Sequence, residues 1–298
     1  MPAVSPDSSP TLRRVLVVGG TGMLGTACVQ QFRDDAALHV DSIGRRDMSG
    51  EWQIDVYQDP SRLWALLHRR RYDVVINAIG VLRSAMSGGS VSAGEASYIN
   101  AVFPHELAAC AAELGSCVVH VSTDAVFSGR GGAPYDEGAL PDPSDGYGAS
   151  KLAGEPVSAA ALTIRCSFVG RHRARPDGLI DWILGLPSGA EVQGFIDYRW
   201  TPATTAQVAR FIGRLADRAV FDRIRSLSPV VHFAPNLPLS KWAMIDMLKT
   251  LSRPDVRVEE TDSPSGPVDL SLTTRYGACR EMAPEARSWP VVLSEVLS

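Results

Sequence analysis

The chain has 298 residues, is 45% hydrophobic and 21% charged, and carries a formal net charge of −4. That length supports one large α/β unit with a smaller lobe and a sizeable buried core, and the near balance of charge, without a long basic run, argues against a nucleic-acid partner. No apolar stretch approaches the roughly 20 residues that a helical membrane span needs, so no membrane partner is expected either.

Residues 1–10 are rich in Pro and Ser without a targeting pattern and read as a disordered tail. Val15-Leu16-Val17-Val18 reads as a first strand, followed at once by Gly19, Gly22 and Gly25 and a helix through Phe32. Strand, glycine turn and helix in that order form the phosphate-binding start of a dinucleotide fold. Gly19 permits the turn, Gly22 lets backbone N–H groups approach a pyrophosphate, Gly25 lets helix lie against strand, and the helix N-terminus favours the anion. The spacing G-x-x-G-x-x-G is one residue longer than the usual dehydrogenase fingerprint, and an ordinary glycine-rich turn is the competing reading.

Leu38 to Ile43 reads as a second strand with Arg45 and Arg46 at its end. A carboxylate there would hold a ribose 2′-hydroxyl, whereas a 2′-phosphate wants a guanidinium. Arg45 therefore points to NADPH, with a surface arginine in a turn as the competing reading and Asp41 or Asp47 as the residues that would face the ribose instead. A short third strand is expected to end before Asp55-Val56. Residues 61–71 form a helix whose Leu63, Trp64, Leu66 and Leu67 face the core, with Arg69 to Arg71 as its solvated end. Val74 to Gly80 is the fourth strand, and small residues at its exit suit close approach of a cofactor. Ser84 to Gly94 reads as a flexible loop beside the crevice, either a cover for substrate or a tolerated insertion. The helix from about Glu95 to Leu114 carries Asn100.

Val118 to Asp124 is a buried strand that ends in hydroxyls. Ligands of open α/β sheets sit beyond the carboxyl ends of strands, so Ser122 and Thr123 are both expected to face the crevice of the glycine loop; a helix cap is the bland reading. After a Gly- and Pro-rich excursion come Tyr147 and Lys151, four residues apart and so on one helix face. A phenol, with a reference pKa of about 10, needs a nearby positive charge to exchange protons at neutral pH, and Lys151 is placed to supply it. A surface helix with one Tyr and one Lys is the alternative. Leu162 to Phe168 reads as the sixth strand. Beyond Gly170 the βα alternation fades: Arg171, Arg173 and Arg175 precede a helix from Gly178 to Leu186 bearing Trp182. Trp200-Thr201-Pro202 leads into a helix with Val208, Phe211, Ile212 and Leu215, and Val230 to Phe233 returns to the sheet. Residues 239–252 form an amphipathic helix, and the tail from 253 ends in a short helix near Val291 to Leu297. Five scattered cysteines without C-x-x-C spacing suggest thiols in a reducing cytoplasm, not a disulfide frame or a metal site.

Gly19 to Gly25, Ser122-Thr123-Asp124, and Tyr147 with Lys151 together resemble the extended short-chain dehydrogenase/reductases, in particular the branch of dTDP-4-dehydrorhamnose reductase and related sugar-nucleotide reductases. The resemblance runs from about residue 13 onward and includes Asn77-Ala78, Tyr98 to Ala101, Ser122 to Gly129, Leu162 to Gly170 and Trp200-Thr201-Pro202. It implies an α/β Rossmann fold: a doubly wound parallel sheet over residues 11–170, completed by about 201–235, with a smaller substrate-binding lobe from 171–200 and 236–298.

The same resemblance implies the site. Gly19, Thr21, Gly22, Met23 and Leu24 would hold the cofactor phosphates, Arg45 the 2′-phosphate, and Asp55 with Val56 would lie beside the adenine. Ala78, Ile79, Gly80, Asn100, Ser122, Tyr147 and Lys151 complete the cofactor set, Asn100 supporting the lysine through backbone and water. Thr123, Tyr147 and Lys151 are the implied catalytic residues: Thr123 holds the carbonyl oxygen, Tyr147 protonates the developing alkoxide, and Lys151 grips the nicotinamide ribose while lowering the Tyr147 pKa. The implied substrate is a nucleotide-diphosphate 4-keto-6-deoxy sugar touching Thr123, Asp124, Ala125 and Phe168, and a homodimer is compatible with the family. Ala125 stands where the branch has an aromatic residue and Phe168 where it has tryptophan, so the chemistry is better supported than dTDP-4-dehydrorhamnose itself. The lack of a glutamate at Ala125 argues against a 4,6-dehydratase. An NDP-sugar epimerase and a non-catalytic NADP-binding regulatory subunit of the methionine adenosyltransferase β type stay open; Arg45 speaks against the first, and the intact Thr123, Tyr147 and Lys151 against the second.

Overall fold

The computed structural model describes residues 12–46, 48, 50–172, 178–283 and 288–297. The expected tail at 1–10, Asp47, Arg173 and Arg175 lie outside them. Through its first half the chain alternates strand and helix: β1 (Arg13–Val18), α1 (Met23–Arg33), β2 (Leu38–Ile43), α2 (Ser61–Arg70), β3 (Val74–Asn77), the short α3 (Arg83–Ser87) and α4 (Ala93–Ser97), α5 (Phe103–Leu114), β4 (Cys117–Thr123), α6 (Gly146–Ala153) and β5 (Ala161–Val169). The rest comprises α7 (Leu179–Leu184), β6 (Glu191–Phe195), β7 (Tyr198–Trp200), β8 (Pro202–Thr204), α8 (Thr205–Leu215), α9 (Arg218–Leu227), β9 (Val230–His232), β10 (Leu239–Ser240), α10 (Lys241–Ser252), β11 (Arg257–Thr261), β12 (Val268–Asp269), α11 (Gly277–Met282) and α12 (Trp289–Leu297).

Seven strands form one parallel sheet in the order β2-β1-β3-β4-β5, and β9 and β8 pair with successive stretches of β5. A parallel sheet covered on both faces needs apolar residues at every strand position, because successive side chains point to opposite sides. Accordingly Val15, Val17, Val119 and Ile164 pack on one face with Phe32 and Phe211 from α1 and α8. Leu16, Val18, Val75 and Val118 pack on the other with Leu63, Leu67 and Leu107 from α2 and α5. Helix α8 is started by a capping box in which the Thr204 hydroxyl accepts from Gln207 N at 3.1 Å and Gln207 Oε1 accepts from Thr204 N at 2.8 Å. A third core, with Phe127, Ile183, Trp200, Met244 and Leu248, lies among α7, β7, α10 and α12.

Several local expectations change. The third strand before Asp55 is reduced to a single bridge between Gly44 and Gln53. Arg69 and Arg70 are not simply solvated, since both pair with Glu51. The stretch at 84–94 is partly helical, its ends lying in α3 and α4. The helix expected from Glu95 to Leu114 is broken by a π-helical turn at Tyr98–Val102. Pro104 gives the physical reason: a proline ring inside a helix collides with the carbonyl four residues earlier, here that of Asn100, so the chain widens its turn there. Strands β6, β7, β11 and β12 had no sequence signal strong enough to place them.

Candidate active site

The carboxyl ends of β1, β2 and β3 open onto a groove of about 410 Å³ lined by Gly19, Thr21, Gly22, Arg45, Asp55, Val56, Ala78, Ile79 and Gly80, among others. At its phosphate end, Gly19 has φ +91°, and a Cβ on Gly25 would lie 2.0 Å from Gly19 O. Only glycine lets the first turn of α1 approach the loop so closely, with the unpaired N–H groups of that turn directed at the loop. Met23 and Leu24 begin this helix, but the Leu24 side chain is buried in the core, which leaves its backbone to face a ligand. At the other end Arg45 is not free: its Nη1 donates to Glu95 Oε1 at 2.6 Å, and its Nε lies 4.0 Å from Asp55 Oδ2. Glu95 lines the same groove from α4. The groove therefore suits a dinucleotide: a glycine cradle for pyrophosphate and a cationic end flanked by carboxylates. Asp41, weighed above as a ribose ligand, instead accepts from the Tyr72 hydroxyl at 2.7 Å.

Gly80 links this groove to α6, because a Cβ placed there would stand 3.8 Å from Lys151 Nζ. Lys151 is buried and donates to Val121 O at 2.8 Å. Burial pushes its ammonium down to about 8, with Glu155 opposing. Asn100 fastens the neighbourhood: its Oδ1 accepts from Val81 N at 2.8 Å, and its Nδ2 donates to Val81 O at 3.0 Å and to Ser150 Oγ at 3.1 Å. The π-turn thus holds both the exit of β3 and the lysine-bearing helix. On the opposite side of α6, Gly148 packs against the chain after β4, where a Cβ would fall 2.1 Å from Ala125 O.

Thr123 caps the short turn at Asp124–Val126, its Oγ1 accepting from Ala125 N at 3.2 Å and donating to Asp124 Oδ1 at 3.0 Å. It also hydrogen-bonds Tyr147. The two hydroxyls expected to hold one carbonyl oxygen are therefore adjacent. Burial pushes the Tyr147 phenol up to about 12, and the groups that pull it down are the Thr123 hydroxyl and the Arg83 guanidinium, while Asp124 pushes it further up. Lys151, the expected source of a lowering, is not among the main groups acting on this phenol; the charge that pulls it down is Arg83. Asp124 is buried, which pushes its carboxyl up to about 6 against hydrogen bonds from Thr123 and Ser167.

Ser122 corrects the expectation that both strand-end hydroxyls face one crevice. Neighbours on a strand point to opposite faces, and the Ser122 hydroxyl donates to Glu155 Oε1 at 2.7 Å. Glu155 in turn takes Arg165 Nε at 2.8 Å and Nη2 at 2.7 Å, a buried bidentate pair.

A second cavity of about 250 Å³ opens on Thr123 and Tyr147. Thr123, Asp124, Ala125, Tyr147 and Phe168 line it, as the sequence implied, but so do Arg83, Tyr198, Trp200 and Lys241, which sequence reasoning missed as site residues. Arg83 reaches it from α3: its Nε pairs with Asp145 Oδ2 at 2.7 Å, its guanidinium carbon stands 5.8 Å from the Tyr147 ring centre, and it hydrogen-bonds Tyr198. Asp145 also caps α6, accepting from Gly148 N at 2.8 Å, so Arg83 is tied to the start of the helix that carries Tyr147. Among the described residues no cluster of His, Cys, Asp and Glu is arranged to hold a metal ion, and no helix is long and apolar enough to cross a membrane.

A family model described as RmlD substrate binding domain matches residues 13–267. The probable low-salt glycan biosynthesis reductase Agl14 of Haloferax volcanii is 31% identical over 215 residues, covering 68% of this chain and 71% of that protein. The dTDP-4-dehydrorhamnose reductase of Mycobacterium tuberculosis is 30% identical over 224 residues, covering 71% and 68%. Methionine adenosyltransferase 2 subunit beta of Xenopus laevis is 31% identical over 152 residues, covering 51% of this chain and 44% of that one. In fold the chain is similar to the dTDP-4-dehydrorhamnose reductase of Bacillus anthracis solved in complex with NADP, with a TM-score of 0.75 at 19% identity over 96% of this chain and 98% of that one.

Proposed function

The chain belongs to the RmlD substrate binding domain family, with the dTDP-4-dehydrorhamnose reductases, and from that premise we propose that it reduces the 4-keto group of a nucleotide-diphosphate 4-keto-6-deoxy sugar with NADPH. The observation that carries this reading is the pair of bonded Thr123 and Tyr147 hydroxyls on the smaller cavity, with Tyr147 on the helix whose Lys151 stands behind Gly80 of the dinucleotide-shaped groove. The hydride for the reduction is the chemistry that a bound NADPH supplies. Gly19, Thr21 and Gly22, with the backbone of Met23 and Leu24, would hold its phosphates, and Ala78 to Gly80 would border its nicotinamide half.

The protein's part is to place and protonate the carbonyl. Tyr147 and Thr123 hydroxyls lie close enough to bond each other, so both can donate to one substrate oxygen inserted there once the Thr123 hydroxyl turns from Asp124 Oδ1. As charge develops on that oxygen the two donors stabilise it, and Tyr147 Oη gives up its proton. Lys151, mostly protonated at neutral pH with a value of about 8, holds positive charge beside the nicotinamide end of the groove. Phe168, Leu179, Trp200 and Leu270 supply apolar wall that would lie against the sugar.

The core around Met244 and Trp200 is separate from the two sheet-face cores, which supports assigning 171–200 and 236–298 to a substrate lobe. All five cysteines are free thiols, in keeping with a reducing cytoplasm.

The test is a panel of nucleotide-diphosphate 4-keto sugars with NADPH and the variant Tyr147→Phe. General acid catalysis is worth about 10² to 10⁴ in rate, so the variant should lose kcat by that order while NADPH binds as before. A wild-type protein that binds NADPH yet turns over nothing in the panel would favour the regulatory role of the methionine adenosyltransferase subunit; tightly retained NAD after purification would favour an epimerase.

A further inference from the structure

Lys241 is the least expected residue in the smaller cavity. It is the first residue of α10, after the Ser240 cap whose Oγ accepts from Ala243 N at 3.1 Å. A cation in the first turn of a helix opposes the helix dipole, so this position stabilises nothing in α10. The β7–β10 ladder explains how it reaches the site. Leu239 pairs with Trp200 and Ser240 with Arg199 in antiparallel register, and one further step sets Lys241 opposite Tyr198. Its Nζ lies 3.6 Å from the Tyr198 ring centre.

Among the described residues that ring is its one close partner; no carboxylate or carbonyl hydrogen-bonds it. The neighbouring charges are Arg83 and Asp124, from two other elements. Asp124 is bonded to Thr123 and Ser167, and Arg83 is held by Asp145 and Tyr198. A half-buried ammonium with no hydrogen-bonded carboxylate of its own, on the same cavity of about 250 Å³ as the Arg83 guanidinium, leaves donors open to an incoming anion beside the proton donor. A cavity of that size takes a sugar ring with one attached anionic group, and the two cations come from α3 and α10, elements other than the strand that carries Thr123.

We propose that Lys241 and Arg83 clamp an anionic group borne by the sugar itself, the phosphate on its anomeric oxygen, and thereby set which sugar atom meets Tyr147 and Thr123. This rests on the reductase reading above and deepens it by assigning the orientation of the substrate. Lys241 supplies a mobile point charge, while Arg83, fixed by Asp145 to the cap of α6, keeps the clamp in register with Tyr147.

Binding without turnover separates this proposal from the reductase reading. Glucose 1-phosphate, glucuronate and methyl glucoside would be titrated into the full-length protein, with NADPH present, by calorimetry. The expected result is binding of glucose 1-phosphate, no binding of methyl glucoside, and a loss of about 10- to 100-fold in Lys241→Gln that Lys241→Arg largely restores, the scale of one charge-assisted contact. NADPH affinity measured on the same variants should stay at the wild-type value, which also shows that they are folded. Where a keto-sugar nucleotide is turned over, Lys241→Gln should raise KM with little change in kcat. Equal affinity of wild type and Lys241→Gln for glucose 1-phosphate would overturn the clamp. Preference for glucuronate over glucose 1-phosphate would overturn the phosphate assignment in favour of a sugar carboxylate.

Discussion

Cofactor choice should depend on Glu95 as much as on Arg45. The guanidinium that would grip a 2′-phosphate is already bonded to Glu95 at 2.6 Å, with Arg45 42% and Glu95 16% exposed. Asp55 stands 4.0 Å from its other side. A doubly charged phosphate entering here gains Arg45 but meets two carboxylates, whereas the 2′-hydroxyl of NADH could donate to Glu95 and leave the ion pair in place. A charge-assisted hydrogen bond contributes about 1.5 to 3 kcal/mol, so Arg45→Ala should weaken NADPH binding by about 10- to 100-fold and hardly touch NADH. Like charges about 4 Å apart near a surface repel by up to about 4 kcal/mol at an effective dielectric of 20. Solvent screening at this half-open site reduces that to about 1 kcal/mol. Glu95→Gln should therefore tighten NADPH about fivefold, leave NADH unchanged or weaker, and flatten the salt dependence of NADPH binding. The double variant should fall short of the sum of the two, because each partner acts on the phosphate partly through the other. Cofactor fluorescence titrations on the protein alone measure all four constants. Equal changes for NADPH and NADH in either single variant would refute the reasoning and move the 2′ position away from Arg45.

Asp124→Asn should raise the melting temperature at pH 7: burial lifts the carboxyl from its ordinary 3.8 to about 6, so ionising it in the folded state costs up to about 3 kcal/mol. That cost is present in full above about pH 6 and vanishes below about pH 4, so the two proteins should converge in acid; a parallel offset at all pH values would count against it. Lys151, pushed down to about 8, should lose its charge as pH rises through that value, so NADPH affinity should fall there, and Lys151→Arg should remove that limb from the titration. The same depression means that the cost of burying the ammonium is present below about pH 8 and fades by about pH 10.5, so stability from this group rises across that window, which thermal unfolding against pH would register. Glu155→Gln should lower stability in urea unfolding by about 3 to 5 kcal/mol, because Arg165 and Ser122 would keep their buried donors without a carboxylate.

What could be read from the sequence follows how local each signal is. The doubly wound sheet was legible because each βα unit carries its own evidence: an apolar run, a turn and a helix period. Tyr147 and Lys151 were legible because four residues of helix fix their relation whatever surrounds them. Thr123 required one more step, the rule that strand ends line the crevice, and Ser122 shows where that step overreached: the period of two on β4 sends it to Glu155. Pro104 carried a readable signal that went unused, since a proline four residues after Asn100 foretells the widened turn that frees Asn100 to tie Val81 to Ser150.

The rest of the site depends on pairings that no short window contains. Lys241 reaches the cavity through a two-residue strand opposite a three-residue one, and β12 sets the other edge of β7 with two residues more. Strands so short have no measurable period, and their register is set by the packing of Trp200, Leu239 and Leu270 into the third core. Arg83 was hidden for a related reason. Its segment has the small polar composition of a loop, and its role appears only once Asp145, 62 positions later, caps α6 and turns its second oxygen to the guanidinium. The proposed chemistry is thus written in contiguous motifs, while Arg83, Tyr198 and Lys241 of the cavity wall come from segments placed only by distant pairings. Divergence in substrate within this fold should therefore accumulate at positions such as Tyr198 and Lys241, where a substitution alters the cavity wall without disturbing the hydrogen bonds that hold Tyr147, Thr123 and Lys151.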